Sequence, residues 1–242
     1  MFFWKLQERN MKNVKIFELY LRILKKQVWI YAVYFAIFLG AIVTVKEKDL
    51  IGYYQYACMA IYIIVLLGIS SVTAVTSNVG LNLRQKAAPI RIELLELRYI
   101  GTDVLILIFI WMMFLWTAVI LYGEIAYSLK GILYAVDLLV VSLVALALGI
   151  FVGNFFKTFQ GRFAAANFIA FGLPILGGVF SFIPEKEHLL SSFTPIFWYQ
   201  KALEEASGNI EQYFYYIGIE FIFAVAIVAF EMVLIKQKKQ QL

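Results

Sequence analysis

The stretch VLILIFIWMMFLWTAVILY, residues 104–122, contains no charged residue and is long enough to cross a bilayer as an α-helix. The hydrocarbon core requires about 20 mostly apolar residues in helical conformation. Because lipid offers no hydrogen bonds to the backbone, only helices and closed barrels can span it. The sequence predicts six such helices, at residues 28–45, 53–76, 104–122, 131–153, 163–183 and 213–235.

The composition agrees with this assignment, since 63% of the 242 residues are hydrophobic and 15% are charged. Soluble domains contain about 45–50% apolar and about 25% charged residues. Cys58 is the single cysteine and His188 the single histidine, so an intramolecular disulfide is impossible and a metal site is not expected. The predicted fold is one all-α membrane domain that covers residues 1–242.

The basic residues predict the topology of these six spans. Segments 1–27, 77–103, 154–162 and 236–242 hold 16 of the 21 Lys and Arg residues. Cytoplasmic loops carry the excess of such residues, so both termini are expected in the cytoplasm. The same asymmetry accounts for the net charge of +5 without a nucleic-acid partner.

The segment before the first span, residues 12–27, reads KNVKIFELYLRILKKQ. At 100° per residue, Phe17, Leu21 and Leu24 share one face, while Lys15 and Arg22 lie on another. Such a helix lies in the inner headgroup layer with its basic side toward anionic lipid. It either orients the first span or also contacts a cytosolic partner.

The charged stretch NLRQKAAPIRIELLELRYIG, residues 82–101, separates spans two and three and is predicted to be cytoplasmic. A proline suits the first turn of a helix and Gly101 suits its end, which predicts a short helix at residues 89–98. Such a helix fits a groove in another protein; the alternative is a solvated connector. The residues assigned to docking are Arg84, Lys86, Pro89, Ile90, Arg91, Glu93, Leu94 and Leu97.

The segment between spans five and six, residues 184–212, is too short to span and too apolar for a free loop. It is interpreted as a re-entrant or interfacial element that forms an outer gate, or as an aromatic belt at the interface. The residues assigned to this gate are Pro174, Gly177, Gly178, Pro184, Phe193, Pro195, Phe197 and Trp198.

Two carboxylates, Asp137 and Glu220, fall in the outer parts of spans four and six. Charged side chains inside a membrane usually face the bundle interior and mark pathways, so both are candidate pathway residues. Lys130 and Lys201 are their expected partners, or they line a polar cavity.

Other polar groups receive structural interpretations. Asp103 and Glu231 lie near inner span ends, where they are expected to reach water. Asn154 and Asn167 are expected to form hydrogen bonds between helices.

Catalytic motifs are missing from the sequence. No Gly-x-x-x-x-Gly-Lys-Ser/Thr loop is present, so the chain is not expected to hydrolyse ATP. The pair Glu204–Glu205 lacks the arginine and histidines that an intramembrane protease of the paired-glutamate type requires. A membrane-embedded enzyme acting on lipid and a non-transporting scaffold or sensor are the competing functional hypotheses.

The order of these elements resembles the permease subunit of bacterial ABC exporters of the ABC-2 superfamily, with the type V exporter fold. The resemblance covers nearly the whole chain and is strongest at FGLPILGGVFSFIP and FTPIFWYQKALE, residues 171–184 and 193–204. The chain is similar to these permeases in its amphipathic first helix, its charged helix between spans two and three, and its broken segment after span five.

The resemblance implies a function and partners. The chain would export an amphipathic substrate, with a peptide favoured and a lipid or drug as alternatives, across the bacterial cytoplasmic membrane. A separate cytosolic ATPase subunit, in two copies, would bind ATP and Mg²⁺ and receive residues 89–98 as a coupling helix. The membrane part would be completed by a second permease copy, as a homodimer or a related heterodimer.

Overall fold

Six α-helices and one 3-10 turn form the described part of the chain. The computed structural model describes residues 49–76, 92–156, 158–177 and 191–240, together with two isolated helical positions, Ala36 and Gly40. The helices are α1 Leu50–Thr76, α2 Ile92–Tyr122, α3 Leu129–Phe155, α4 Phe159–Leu176, α5 Pro195–Glu205 and α6 Ile210–Gln240. The 3-10 turn Gly123–Tyr127 joins α2 to α3, and no β-strand occurs in these ranges.

Four helices in the described ranges are long and apolar enough to cross a membrane: Leu50–Leu67, Asp103–Tyr127, Leu129–Phe155 and Ile210–Val233. They correspond to predicted spans two, three, four and six. The described part of the chain is therefore all-helical, as predicted, and its long apolar helices indicate a membrane-embedded protein. Predicted span one is described only at the helical positions Ala36 and Gly40, and the interfacial helix predicted at residues 12–27 lies outside the described residues.

Predicted span five, residues 163–183, is described only as far as Gly177. Helix α4 begins at Phe159 and ends at Leu176, and it is not among the four span candidates. Gln160, Arg162 and Asn167 lower its hydropathy. Pro174 lies inside the helix without ending it, and Gly177 is the C-cap residue that follows Leu176.

Helix α1 lies at the centre of the described bundle, where nearly all side chains from Tyr53 to Leu67 are buried. Helices α2 and α6 are peripheral and expose large apolar side chains such as Phe109, Trp116 and Ile222. In water this surface would be unfavourable, whereas in a bilayer it faces lipid or another membrane protein.

Aromatic hydrogen-bond donors join these helices at one end of the bundle. The Tyr53 hydroxyl donates to the Phe114 carbonyl at 2.6 Å, and the Tyr213 hydroxyl donates to the Leu133 carbonyl at 2.6 Å. The Trp111 Nε1 donates to the Ala135 carbonyl at 2.9 Å. A helical carbonyl has a second lone pair, so it can accept these bonds without losing its own helical partner.

These contacts also fix the directions of the helices. The beginnings of α1, α3 and α6 meet near the end of α2, so α1, α3 and α6 run parallel and α2 runs antiparallel to them. Helix α5 lies at the same end, which is called the α5 end below.

Helix α2 is continuous from Ile92 to Tyr122. The prediction that a short separate helix ends at Gly101 is therefore wrong, because the backbone stays helical through that glycine. A glycine in a helix interior costs only about 1 kcal/mol relative to alanine, which the flanking apolar turns offset.

At the end of the bundle away from α5, two predictions about polar side chains are wrong. Glu231 is buried and accepts a hydrogen bond from the Asn154 amide, and Asp103 is also buried, so the prediction that these carboxylates reach water is wrong. The Asn154 bond joins α3 to α6, as predicted for an interhelical contact. Asn167 instead donates to the Phe163 carbonyl of its own helix at 2.7 Å.

The start of α3 packs too tightly for a side chain at Gly131. A Cβ atom there would collide with the Ala126 carbonyl oxygen, a backbone atom that cannot rotate away. We expect Gly131→Ala to lower the free energy of unfolding by about 1–3 kcal/mol, the usual cost of overpacking. Thermal unfolding of the detergent-solubilised protein measures this loss.

Gly218→Ala is the matched control. Outside its own helical turns, no atom of the described residues lies within 4 Å of a Cβ built at Gly218 in α6, so this change should leave stability unchanged or raise it. Equal melting temperatures for the Gly131 variant and the native chain would contradict the packing at the start of α3.

Candidate functional site

Two buried carboxyl groups, Asp137 of α3 and Glu220 of α6, meet inside the bundle. Both side chains have no solvent exposure. Asp137 lies about 12 Å and Glu220 about 15 Å from the starts of their helices, at the 1.5 Å rise of an α-helix. Because α3 and α6 run parallel, the two residues reach similar depth and interact directly.

No donor among the described residues satisfies this pair. Neither oxygen of Asp137 and neither oxygen of Glu220 accepts a hydrogen bond from an N–H or O–H group. Lys201 instead pairs with Glu204 at 2.7 Å, and Lys130 is exposed. The predicted pairing of the carboxylates with these lysines is therefore wrong, and each carboxyl faces the other.

Uncharged polar side chains surround the pair. Cys58 and Tyr62 of α1 are fully buried and lie close enough to Glu220 to interact with it electrostatically; the Tyr62 hydroxyl has no hydrogen-bond partner among the described residues. Tyr213 of α6 interacts electrostatically with both carboxyl groups, and its hydroxyl donates to a carbonyl of α3. We call the six residues Cys58, Tyr62, Asp137, Tyr199, Tyr213 and Glu220 the acidic cluster.

Helix α5 covers the acidic cluster at the α5 end. Thr194 caps it by accepting a hydrogen bond from the Phe197 N–H at 3.4 Å, and Pro195 occupies its first position, where a missing N–H costs nothing. Tyr199 is fully buried on its inner face and donates to the Tyr54 carbonyl of α1 at 2.8 Å. It also lies close enough to Asp137 and Glu220 to interact with them electrostatically.

The end of α4 supports α5 from the side. A Cβ at Gly177 would lie 2.8 Å from the Ile196 side chain, so only glycine allows this approach. The predicted gate residues Pro174, Gly177 and Pro195 are all buried at this junction.

The other predicted gate residues differ in their exposure to solvent. Phe197 and Trp198 are half-buried, and the Trp198 Nε1 donates to the Ser192 carbonyl at 2.8 Å. Phe193 is 73% exposed and therefore closes nothing within the described part of the chain. Gly178 and Pro184 lie outside the described residues.

Burial raises the pKa of Tyr199 well above its ordinary value, and the nearby Cys58, Asp137 and Glu220 raise it further. The folded chain therefore favours the neutral phenol. This stabilisation is fully present below the ordinary tyrosine pKa of about 10, and it is lost as the pH rises above that value, where only the unfolded chain ionises freely.

Tyr199→Phe is expected to lower the free energy of unfolding by about 1 kcal/mol at neutral pH, because the hydrogen bond to α1 is lost. The variant should also lose less stability than the native chain at alkaline pH. Melting temperatures across this pH range measure both effects. Tyr215→Phe, at a position 63% exposed, is the control and should change neither. Parallel pH profiles for Tyr199→Phe and the native chain would contradict the assignment.

The docking residues are only partly described. Glu93, Leu94 and Leu97 lie in the first turns of α2, and nothing is described of their side chains. The other docking residues, Arg84, Lys86, Pro89, Ile90 and Arg91, lie outside the described residues, as do Lys15, Phe17, Leu21, Arg22 and Leu24 of the interfacial helix.

Sequence reasoning named the two carboxylates but missed their neighbours on α1. Tyr54, Cys58 and Tyr62 follow one another at four-residue intervals, which places them on one face of a helix. A polar stripe in an otherwise apolar span could have indicated that this face points at a polar site.

No group of three or more His, Cys, Asp or Glu side chains comes together as a metal site within the described residues. The chain matches no protein family model, no curated protein and no solved structure.

Proposed function

We propose that this chain is the membrane permease subunit of an ATP-driven exporter, with nucleotide hydrolysis on a separate cytosolic subunit. The observation that carries this proposal is the continuous helix α2. Its 31 residues extend about 46 Å at 1.5 Å per residue, whereas the hydrocarbon core is about 30 Å thick.

The excess length lies at the beginning of the helix. The apolar span starts at Asp103, so the turns from Ile92 onward project about 16 Å beyond it. The distribution of Lys and Arg residues favours the cytoplasm for this end. A partner that moved these charged turns would move the span with them, because an unbroken helix transmits displacement along its axis. A connector that only turned the chain would not need this rigidity.

The α5 end supports the same function from the opposite side. Under this topology α5 is external and covers the polar interior of the bundle, as an outer closure requires. An amphipathic substrate such as a peptide would suit apolar helices that enclose a few polar groups; lipids and drugs share this chemistry. A second permease copy would cover part of the exposed apolar faces of α2 and α6.

The proposal is tested by purifying the tagged chain from its native membranes under mild detergent. We expect a nucleotide-hydrolysing subunit to co-purify in equimolar amount, as two copies with two permeases. The complex should hydrolyse ATP with Mg²⁺, and substrate should accumulate in inside-out vesicles only with ATP. A purified chain with no nucleotide-hydrolysing companion would favour the scaffold or sensor hypothesis instead.

A further inference from the structure

We propose that Asp137 and Glu220 form a proton-binding site, in which a carboxylic acid on one helix donates a hydrogen bond to the carboxyl group on the other. The inference goes beyond export and does not depend on it. The binding event is the formation of one O–H bond on a carboxylate oxygen; the proton comes from hydronium in the solvent, which is left as water.

The two carboxyl groups lack a hydrogen-bond donor among the described residues. Two ionised carboxylates are both acceptors, so they cannot bond each other. No donor of the described residues reaches any of the four oxygens, yet the two groups face one another. A proton between them converts one acceptor into a donor and supplies the missing bond without requiring any further group.

If both carboxyl groups were ionised, two negative charges would lie side by side in the bundle. Like charges in direct contact inside a low-dielectric interior strongly disfavour double ionisation. Among the described residues, the titratable groups that interact with the pair are Cys58 and Tyr62 from α1, Tyr199 from α5 and Tyr213 from α6. Each of these groups is uncharged when protonated. None of them supplies a positive charge, so a bound proton is the available means of reducing the negative charge.

The Tyr62 hydroxyl of α1 is a further unsatisfied polar group beside the acids. It is fully buried, has no hydrogen-bond partner among the described residues and lies close enough to Glu220 to interact with it electrostatically. A buried hydroxyl without a hydrogen-bond partner destabilises the fold by about 1–3 kcal/mol. The site therefore holds an O–H group that can donate to a carboxyl oxygen or exchange its proton with the pair.

The test is infrared spectroscopy of the purified full-length protein at neutral pH. A protonated carboxylic acid gives a carbonyl-stretching band separate from that of carboxylate and amide groups. We expect the native protein to show this band and the double variant Asp137→Asn/Glu220→Gln to lose it. Glu231→Gln is the matched control, because the Glu231 carboxylate already accepts a hydrogen bond from Asn154 and needs no proton. The spectrum of this variant should show the same carboxylic-acid band as the native protein.

The single variants keep the test decisive if the double variant does not fold. In Asp137→Asn and in Glu220→Gln the remaining carboxyl meets an amide instead of an acid, so the band should shift in position in each. The proposal would be overturned by a native spectrum without the band, by a band unchanged in all three variants, or by a carboxylate signal that moves only when sodium or potassium is added.

Discussion

Replacing Arg98 with proline is expected to abolish the response of the membrane bundle to ATP while leaving the chain in the membrane. Proline removes a backbone N–H and collides with the preceding turn, which costs about 3 kcal/mol and kinks or breaks the helix. Arg98 lies in α2 between its first turn and the span that begins near Asp103. The break would therefore separate the part proposed to bind the ATPase from the part that crosses the bilayer.

The readout does not require a known substrate. Cys58 is the single cysteine and is fully buried in α1, so its alkylation reports opening of the bundle. In the complex with its ATPase, we expect ATP to change the alkylation rate of Cys58 in the native chain and in Arg98→Ala, which keeps the helix. Arg98→Pro should show no such change. An equal ATP response in Arg98→Pro would contradict the role of α2 as a rigid link.

The second large effect is expected from replacing the acid pair with apolar residues of similar shape. Asp137→Leu/Glu220→Met should raise the free energy of unfolding by about 1–4 kcal/mol. A protein is often more stable when apolar residues of similar volume replace a buried pair of charged groups, because no group then has to be desolvated. Each single variant should be less stable than the double variant, since it leaves one buried carboxyl without its partner.

A double-mutant cycle of thermal unfolding measures this non-additivity. Leu138→Met, at a buried α3 position next to Asp137 that contributes no polar group, is the control for repacking and should change stability by less than about 1.5 kcal/mol. A double variant that is less stable than both single variants would indicate that the carboxyl groups stabilise the bundle through partners other than each other.

The length of an uninterrupted apolar segment predicts where a long helix forms, but it does not predict which helices pack against each other. Residues 104–122 and 131–153 fall inside α2 and α3 because uninterrupted apolar sequence has no stable alternative in lipid. The pairing of Asp137 with Glu220 depends on α3 and α6 packing side by side, and no periodicity within either helix specifies that contact. The sequence identifies each carboxylate as costly to bury, but the lysine partner predicted for it is wrong.

Two boundaries differ from the sequence prediction for a related reason. Gly101 is predicted to end a helix, and the helix continues through it, since local propensity is weak against an adjoining apolar span. Residues 163–183 are predicted to form one helix, yet α4 ends at Leu176, where Gly177 meets the Ile196 side chain of α5; residues 178–183 lie outside the described residues. That contact joins segments that the linear pattern treats separately.

The bond from the Tyr199 hydroxyl to the Tyr54 carbonyl joins residues 145 positions apart. A ribosome delivers Tyr54 long before Tyr199, so the first described span must wait in the translocon or the lipid without this partner while the rest is translated. Truncated nascent chains that stop before α5 should accordingly be the form recognised by membrane quality-control proteases, and release of the last span should coincide with acquisition of protease resistance.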